Sequence, residues 1–167
     1  AGKCPGLLFD IEQYNAPLFD YRKQRDAKTK SWELYATQVR QRGREVMQAF
    51  QDGYPGLMIF LTFGYSLPWA ETQSGRLALA ECHYGLLAPF LDGMVEAAQG
   101  RTRLVDGHEL SYGYKQPAQF TTAYQTMQTG LLPIVRDPKK YRRSVSLGFG
   151  VWMDQDWRKT GWDVDDV

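Results

Sequence analysis

The chain has 167 residues, of which 43% are hydrophobic and 23% charged, and its formal net charge is +1. This composition is typical of a globular protein and excludes a disordered chain. The near-neutral charge argues against a general binder of nucleic acid or of an anionic membrane surface, because both need a concentrated basic surface. No apolar run is long enough for a membrane span, and Cys4 and Cys82 form no framework, so the compartment stays open.

The first predicted element is a strand that begins at Gly6 and ends in acidic residues. Side chains of a strand alternate with a period of two, so Leu8, Asp10 and Glu12 share one face, and the apolar residues between them form the other. Two ionised acids on one face repel each other. The two acids therefore indicate a compensating substrate, metal, cation or shared proton. Alternatively, the acidic strand end is solvated in a loop or is paired with the basic residues of 22–25.

A long amphipathic helix follows the loop 16–30. Ser31 is its expected N-cap, and the helix is expected to end at Asp52 and Gly53. Apolar residues recur at helical spacing, which predicts packing of one side against a sheet. Gly43 lies on that apolar side and would permit a close approach of another backbone.

Residues 56–66 read as a second strand that is apolar on both faces, so we expect it to be covered on both sides. A loop at 67–75 carries Trp69. The next helical region spans 77–99, where Pro89 either kinks the helix or starts a second one.

The third strand is predicted over 102–109, and it again ends in ionisable residues. A third helix begins at Pro117, and 136–143 forms a linker to a fourth strand over 144–154. Gly148 and Gly150 lie on one face of that strand, and small residues there fit the crowded centre of a barrel.

The resulting order β-α-β-α-β-α-β predicts an α/β protein with a parallel sheet, in which polar residues end every strand. Parallel α/β folds bind ligands at that edge of the sheet. The first strand-to-helix connection lacks the glycine-rich pattern of a dinucleotide-binding fold. A complete (β/α)₈ barrel takes about 250 residues. We therefore expect 1–167 to be a single unit forming about half of such a TIM barrel, as a fragment of a larger domain.

Three strand-end motifs, Phe9-Asp-Ile-Glu-Gln-Tyr14, Asp106-Gly-His-Glu109 and Gly150-Val-Trp-Met-Asp154, resemble the rims of TIM-barrel glycoside hydrolases. The resemblance implies hydrolysis of a glycosidic bond in a carbohydrate by two carboxyl groups, with no cofactor. Glu12 and Glu109 are the first pair carried over, and the alternatives or orienting partners are Asp10, Asp106 and Asp154. Strict alternation puts Glu109 on the opposite face from Asp106, so either a bulge redirects Glu109 or Asp106 is the inward group.

Several rings fall at or just beyond strand ends, where they could stack on a sugar or pack locally. The predicted substrate-binding residues are Tyr14, Tyr65, Trp69, His108, Tyr112, Trp152 and Trp157. His108 could instead be structural, or a metal ligand with Asp10, Glu12 and Asp106 in a metal-dependent barrel hydrolase. A further alternative is a barrel that binds carbohydrate without catalysis. Half a barrel leaves open sheet edges, so we expect the remaining strands or self-association to complete it.

Overall fold

The computed structural model describes residues 4–14 and 16–151, and these ranges contain four short strands and five α-helices. In chain order the elements are β1 Gly6–Phe9, α1 Trp32–Gly53, β2 Met58–Leu61, α2 Ser66–Glu71, α3 Leu87–Ala97, β3 Arg103–Asp106, α4 Pro117–Gln125, α5 Pro138–Ser144 and β4 Val145–Leu147. Short 3-10 segments lie at Tyr21–Lys23, Leu79–Glu81, Glu109–Gly113 and Leu132–Ile134, and a π-helical turn at Thr126–Gly130 extends α4. None of these helices is long and apolar enough to cross a lipid bilayer.

The four strands form one parallel sheet, and their order in the sheet is their order in the chain, β1-β2-β3-β4. One row of paired residues runs across it through Leu7, Ile59, Leu104 and Val145. The expected α/β class with a parallel sheet is thus confirmed.

Only one face of the sheet is covered by the rest of the described chain. Ile59 and Leu104 are buried on that face. On the other face Leu8, Met58 and Phe60 remain 66%, 48% and 37% exposed. Successive parallel strands in simple order, joined by crossovers of one hand, put every helix on the same side. The expectation that the second strand is covered on both sides was therefore wrong for these residues.

Helix α1 follows its predicted bounds closely. The hydroxyl of Ser31 accepts a 3.4 Å hydrogen bond from the amide of Leu34, so Ser31 is the N-cap. At Gly43 an added Cβ would collide with the carbonyl oxygen of Phe90, and at Gly93 it would collide with that of Arg40. The two glycines thus let α1 and α3 approach backbone to backbone, as the position of Gly43 predicts.

Two connections contain helices that the sequence pattern did not predict. Helix α2 occupies much of the expected loop after β2, and α5 occupies the expected linker before β4. Asp137 caps α5 by accepting a 2.9 Å hydrogen bond from the amide of Lys140. The expected helical region 77–99 contains a 3-10 turn and α3, in whose first turn Pro89 lies.

On the open face of the sheet, glycines lie next to the ring of Phe60. An added Cβ at Gly107 would stand 2.7 Å from the edge of that ring, and one at Gly148 would stand 3.7 Å from it. The sequence pattern placed Gly148 on this face but did not single out Gly107, and the two glycines leave room for the ring of Phe60.

Candidate functional site

The end of β1 is held in shape by Asp10. Its Oδ1 accepts a 2.9 Å hydrogen bond from the amide of Glu12 and a 3.4 Å hydrogen bond from the hydroxyl of Thr62 on the neighbouring strand connection. The hydrogen bond from the amide of Glu12 to the carboxylate of Asp10, two residues earlier, forms an Asx turn, which is a local structure that Asp favours. Asp10 therefore fixes the backbone on which Glu12 is mounted.

Glu109 comes to the same place from the end of β3. His108 adopts a left-handed conformation with φ 44° and ψ 57°, and the 3-10 turn begins at Glu109. The carboxyl groups of Glu12 and Glu109 lie within hydrogen-bonding reach, which the pair can use only when one of them is protonated. Burial, the neighbouring carboxyl group of Glu12 and the charge of Asp10 raise the pKa of Glu109. Glu109 therefore keeps its proton over a wider pH range than an ordinary glutamate.

Two tyrosines flank the glutamate pair. Tyr14 is 71% exposed, and its hydrogen bond to Glu12 is the largest cause that raises its pKa to about 12. Tyr112 donates a 2.9 Å hydrogen bond to Oε1 of Glu109, and burial together with this carboxyl raises the pKa of Tyr112 to about 12. We call Asp10, Glu12, Tyr14, Glu109 and Tyr112 the acidic cluster.

The ring of Tyr112 lies against the backbone of Gly150, where an added Cβ would collide with it. The hydroxyl of Ser111 also donates a 2.7 Å hydrogen bond to the carbonyl oxygen of Gly150. The segment after β4 is thereby tied to the turn that carries Glu109.

Asp106 lies on the opposite face from the acidic cluster and is fully buried. It accepts hydrogen bonds from the amide of Gly64 at 3.0 Å, from the amide and hydroxyl of Ser66 at 3.2 and 3.0 Å, and from the amide of His108 at 3.1 Å. At Gly64 an added Cβ would collide with this carboxylate. Asp106 is thus a structural anchor for the β2–α2 turn, so the alternative in which Asp106 is the inward group is not the arrangement in this structure. Glu109 reaches Glu12 beyond the end of β3, after the left-handed turn at His108.

His108 is also apart from the acidic cluster and is only 5% exposed. Its Nε2 is hydrogen bonded to the hydroxyl of Tyr114 at 2.8 Å, while its Nδ1 is buried without a partner among the described residues. Burial lowers the pKa of His108 despite the opposing charge of Asp106, so the imidazole is neutral at pH 7. Within 4–14 and 16–151, no group of three His, Cys, Asp or Glu residues is placed to hold a metal ion.

The remaining predicted site residues are dispersed. Tyr65 is buried in the core, where its hydroxyl donates a 2.9 Å hydrogen bond to Asp92 and its ring contacts the ring of Tyr141 at 5.4 Å. Trp69 is partly buried on α2 and lines a cavity together with His108. The predicted residues Asp154, Trp152 and Trp157 lie outside the described part of the chain.

Gln13 was not predicted, yet it joins the loops that surround the site. Its amide nitrogen donates to the hydroxyl of Tyr84 at 3.1 Å, its side chain donates to the carbonyl of His83 at 3.1 Å, and its side-chain oxygen accepts from the amide of Phe19 at 2.8 Å. The only sequence signal was its position directly after Glu12.

A cavity of about 340 Å³ opens beside the acidic cluster. Asp10, Glu12 and Arg42 line it, its other lining residues are apolar, including Leu18 and Phe19, and Glu109 is not at its wall. Comparison of this chain with models of known protein families, with curated proteins and with solved structures found no match in any of the three. Function is therefore argued from the geometry of the site.

Proposed function

We propose that this protein is a glycoside hydrolase that cleaves a glycosidic bond with Glu12 and Glu109. The observation that carries the proposal is the contact between these two carboxyl groups, which come from the ends of β1 and β3. Glycoside cleavage needs one carboxyl group to donate a proton and a second to act as nucleophile or base. A carboxyl pair that shares a proton supplies both forms at once.

The roles follow from the surroundings of each carboxyl. Glu109 is the proton donor, because burial and the neighbouring acids raise its pKa. Glu12 is the nucleophile or the base. Two carboxyl groups within hydrogen-bonding reach of each other leave less room than the ~5 Å separation found in a retaining glycosidase. One of the two side chains must therefore rotate away when a sugar enters between them.

The aromatic rings beside the pair support a carbohydrate as the substrate. Sugars present apolar faces that stack on rings and hydroxyl groups that hydrogen bond to polar edges. Tyr14 is exposed beside Glu12, and Tyr112, which is 39% exposed, is bonded to Glu109. The adjacent 340 Å³ cavity offers a partly apolar space within the size range of small-molecule sites.

The test is turnover of a panel of p-nitrophenyl glycosides by the parent protein and by Glu12→Gln and Glu109→Gln. Each substitution keeps the shape of the side chain but removes its acid–base and nucleophilic chemistry. We expect about a 10²–10⁴-fold loss of kcat with sugar affinity retained. Glu45→Gln, at an exposed position of α1, is the matched control and should leave turnover unchanged.

Three outcomes would contradict the proposal. Unchanged turnover in either glutamine variant would remove Glu12 or Glu109 from catalysis. Sugar binding without turnover in the parent would favour a non-catalytic carbohydrate-binding protein. Complete loss of activity on treatment with EDTA would favour a metal-dependent hydrolase.

We also propose that the four strands and the helices that connect them are about half of a (β/α)₈ barrel. The strand order equals the chain order, and the face opposite the helices is open, as the interior of a divided barrel would be. Leu8→Lys tests this, since Leu8 is 66% exposed on that face. If further strands close the barrel, the buried charge should destabilise the protein by several kcal/mol, whereas on an open face the cost should stay within about 0.5 kcal/mol.

A further inference from the structure

A second and larger cavity lies behind the turn that carries Glu109. Its volume is about 440 Å³, it lies between α2, the turn after β3 and α4, and it is open to solvent at the exposed residues Ser74, Gln119 and Thr122. Its wall includes Trp69, His108, Tyr114, Gln119 and Thr122. Neither Glu12 nor Glu109 lines it, although His108 and Leu110 on either side of Glu109 both do. The turn therefore separates this cavity from the acidic cluster.

The wall of this cavity selects an uncharged ligand. Among residues 4–14 and 16–151, no Asp, Glu, Lys or Arg side chain lines it. The one titratable ring at its wall that could become cationic is His108, which burial keeps neutral at pH 7. A charged ligand would lose its hydration without gaining an opposite charge, which is unfavourable in such a site.

The same wall combines ring faces with hydrogen-bonding groups. Trp69 and Tyr114 supply aromatic surface. Ser74 and Thr122 line the cavity with hydroxyl groups that have no hydrogen bond to another residue in the described ranges. This mixture of aromatic surface and hydroxyl groups matches a sugar ring, which is apolar on its faces and polar around its edge.

One polar atom at this wall is left without a partner. Nδ1 of His108 is buried and makes no hydrogen bond within the described chain, although Nε2 is bonded to Tyr114. Buried polar atoms are nearly always satisfied by protein, water or ligand. Nδ1 has almost no accessible surface, so the imidazole can report on a ligand in the cavity without bonding to it directly.

We propose that this cavity binds one uncharged sugar ring and is a second saccharide site, separate from the acidic cluster. The choice of a sugar rests on the proposed function, while the presence of an uncharged ring-shaped ligand rests on the cavity itself. The site would hold a sugar of the same or of a neighbouring chain while the bond between other sugars is cleaved at Glu12 and Glu109.

The experiment measures binding of the methyl glycosides of glucose, galactose, mannose and xylose by calorimetry and NMR. Glu12→Gln and Glu109→Gln are combined in the protein used, so that no probe is consumed. Thr122→Phe fills the cavity from an exposed position of α4, and we expect it to weaken binding at least about tenfold. Thr121→Phe is the control, because Thr121 is the neighbouring exposed residue and does not line the cavity.

A second readout follows the two histidines of the chain. The ¹⁵N shifts of the His108 imidazole should change on binding, because His108 lines the cavity and a ligand alters the surroundings of its ring. His83 does not line the cavity and should give an unchanged reference signal.

Binding that is equal in the Thr122→Phe and Thr121→Phe proteins, or saturation that leaves the His108 signal unmoved, overturns this inference. Failure of the proposed function is recognised separately. Turnover by the parent without binding in the cavity overturns only the second site, and binding in the cavity without turnover overturns only the hydrolase.

Discussion

The hydroxyl of Tyr112 donates a hydrogen bond to Oε1 of Glu109 at 2.9 Å, while the carboxyl group of Glu12 contacts the same glutamate from the end of another strand. These two neighbours act on the pKa of Glu109 in opposite directions. Tyr112 stabilises the ionised form and lowers the pKa, whereas Glu12 raises it by its hydrogen bond and its charge. Removing Tyr112 and removing the Glu12 carboxyl group should therefore shift the pKa of Glu109 in opposite directions.

Tyr112→Phe should raise the pKa of Glu109, because it removes a hydrogen bond to the carboxylate. Glu12→Gln should lower it, although the effect of burial remains. A ¹³C NMR titration of the glutamate carboxyl groups measures both shifts without needing activity. Tyr124→Phe, at an exposed position of α4, is the control. Shifts of the same sign in the two variants would contradict the arrangement.

Glu109→Gln should stabilise the fold at neutral pH. The pKa of Glu109 is higher in the folded state than an ordinary carboxyl pKa, so folding binds a proton and stability falls as pH rises through the folded pKa. Glutamine carries no charge and avoids that cost. Thermal unfolding at a series of pH values should show a gain in Tm at pH 7 to 8 that disappears at acid pH, below the ordinary carboxyl range. A gain that is constant with pH would show that ionisation of Glu109 is not its cause.

Tyr65→Phe should destabilise the protein without changing sugar affinity. The variant removes the buried hydrogen bond to Asp92, whose pKa is raised to about 6, chiefly by burial. Loss of such a hydrogen bond costs about 1–3 kcal/mol. The loss should be larger at pH 7, where Asp92 is ionised, than at pH 4, where it is protonated in the folded state. Urea unfolding at the two pH values measures this, and weaker sugar binding by the folded variant would place Tyr65 in a ligand site after all.

Gly93→Ala should cost about 1–3 kcal/mol or more, because the added Cβ meets the carbonyl oxygen of Arg40 across the α1–α3 interface. Gly53→Ala is the matched control at the end of α1, where an added Cβ meets nothing within 4 Å. The control should be neutral or stabilising by up to about 1 kcal/mol, since it reduces the freedom of the unfolded chain. Equal effects of the two substitutions in urea unfolding would refute close backbone packing at Gly93.

The long helix and the parallel sheet could be predicted because their signals are local and periodic. Ser31 marks the start of α1, and its apolar stripe includes Gly43, which lies at the contact with α3. Helix α5 was missed because it is short and basic, although the pair Asp137 and Pro138 is a recognisable helix start.

The candidate site was predictable only in part. Glu12 and Glu109 were paired from their strand ends, but the sequence left open whether Glu109 or Asp106 is the inward group. The choice of face depends on which side the helices cover, and that is decided by packing rather than by alternation. Tyr65 was placed at a rim because the second strand was expected to reach Ser66, whereas it ends at Leu61 and α2 begins at Ser66.

The hydrogen bonds of Gln13 and Asp106 connect the three loops that follow β1, β2 and β3. Gln13 fastens the first loop to the chain before α3, and Asp106 fastens the turn after β2 to β3. Loops joined in this way move together rather than independently. We therefore expect amides along these loops to exchange with solvent at similar, slow rates, and a ligand to enter without waiting for a gate to open.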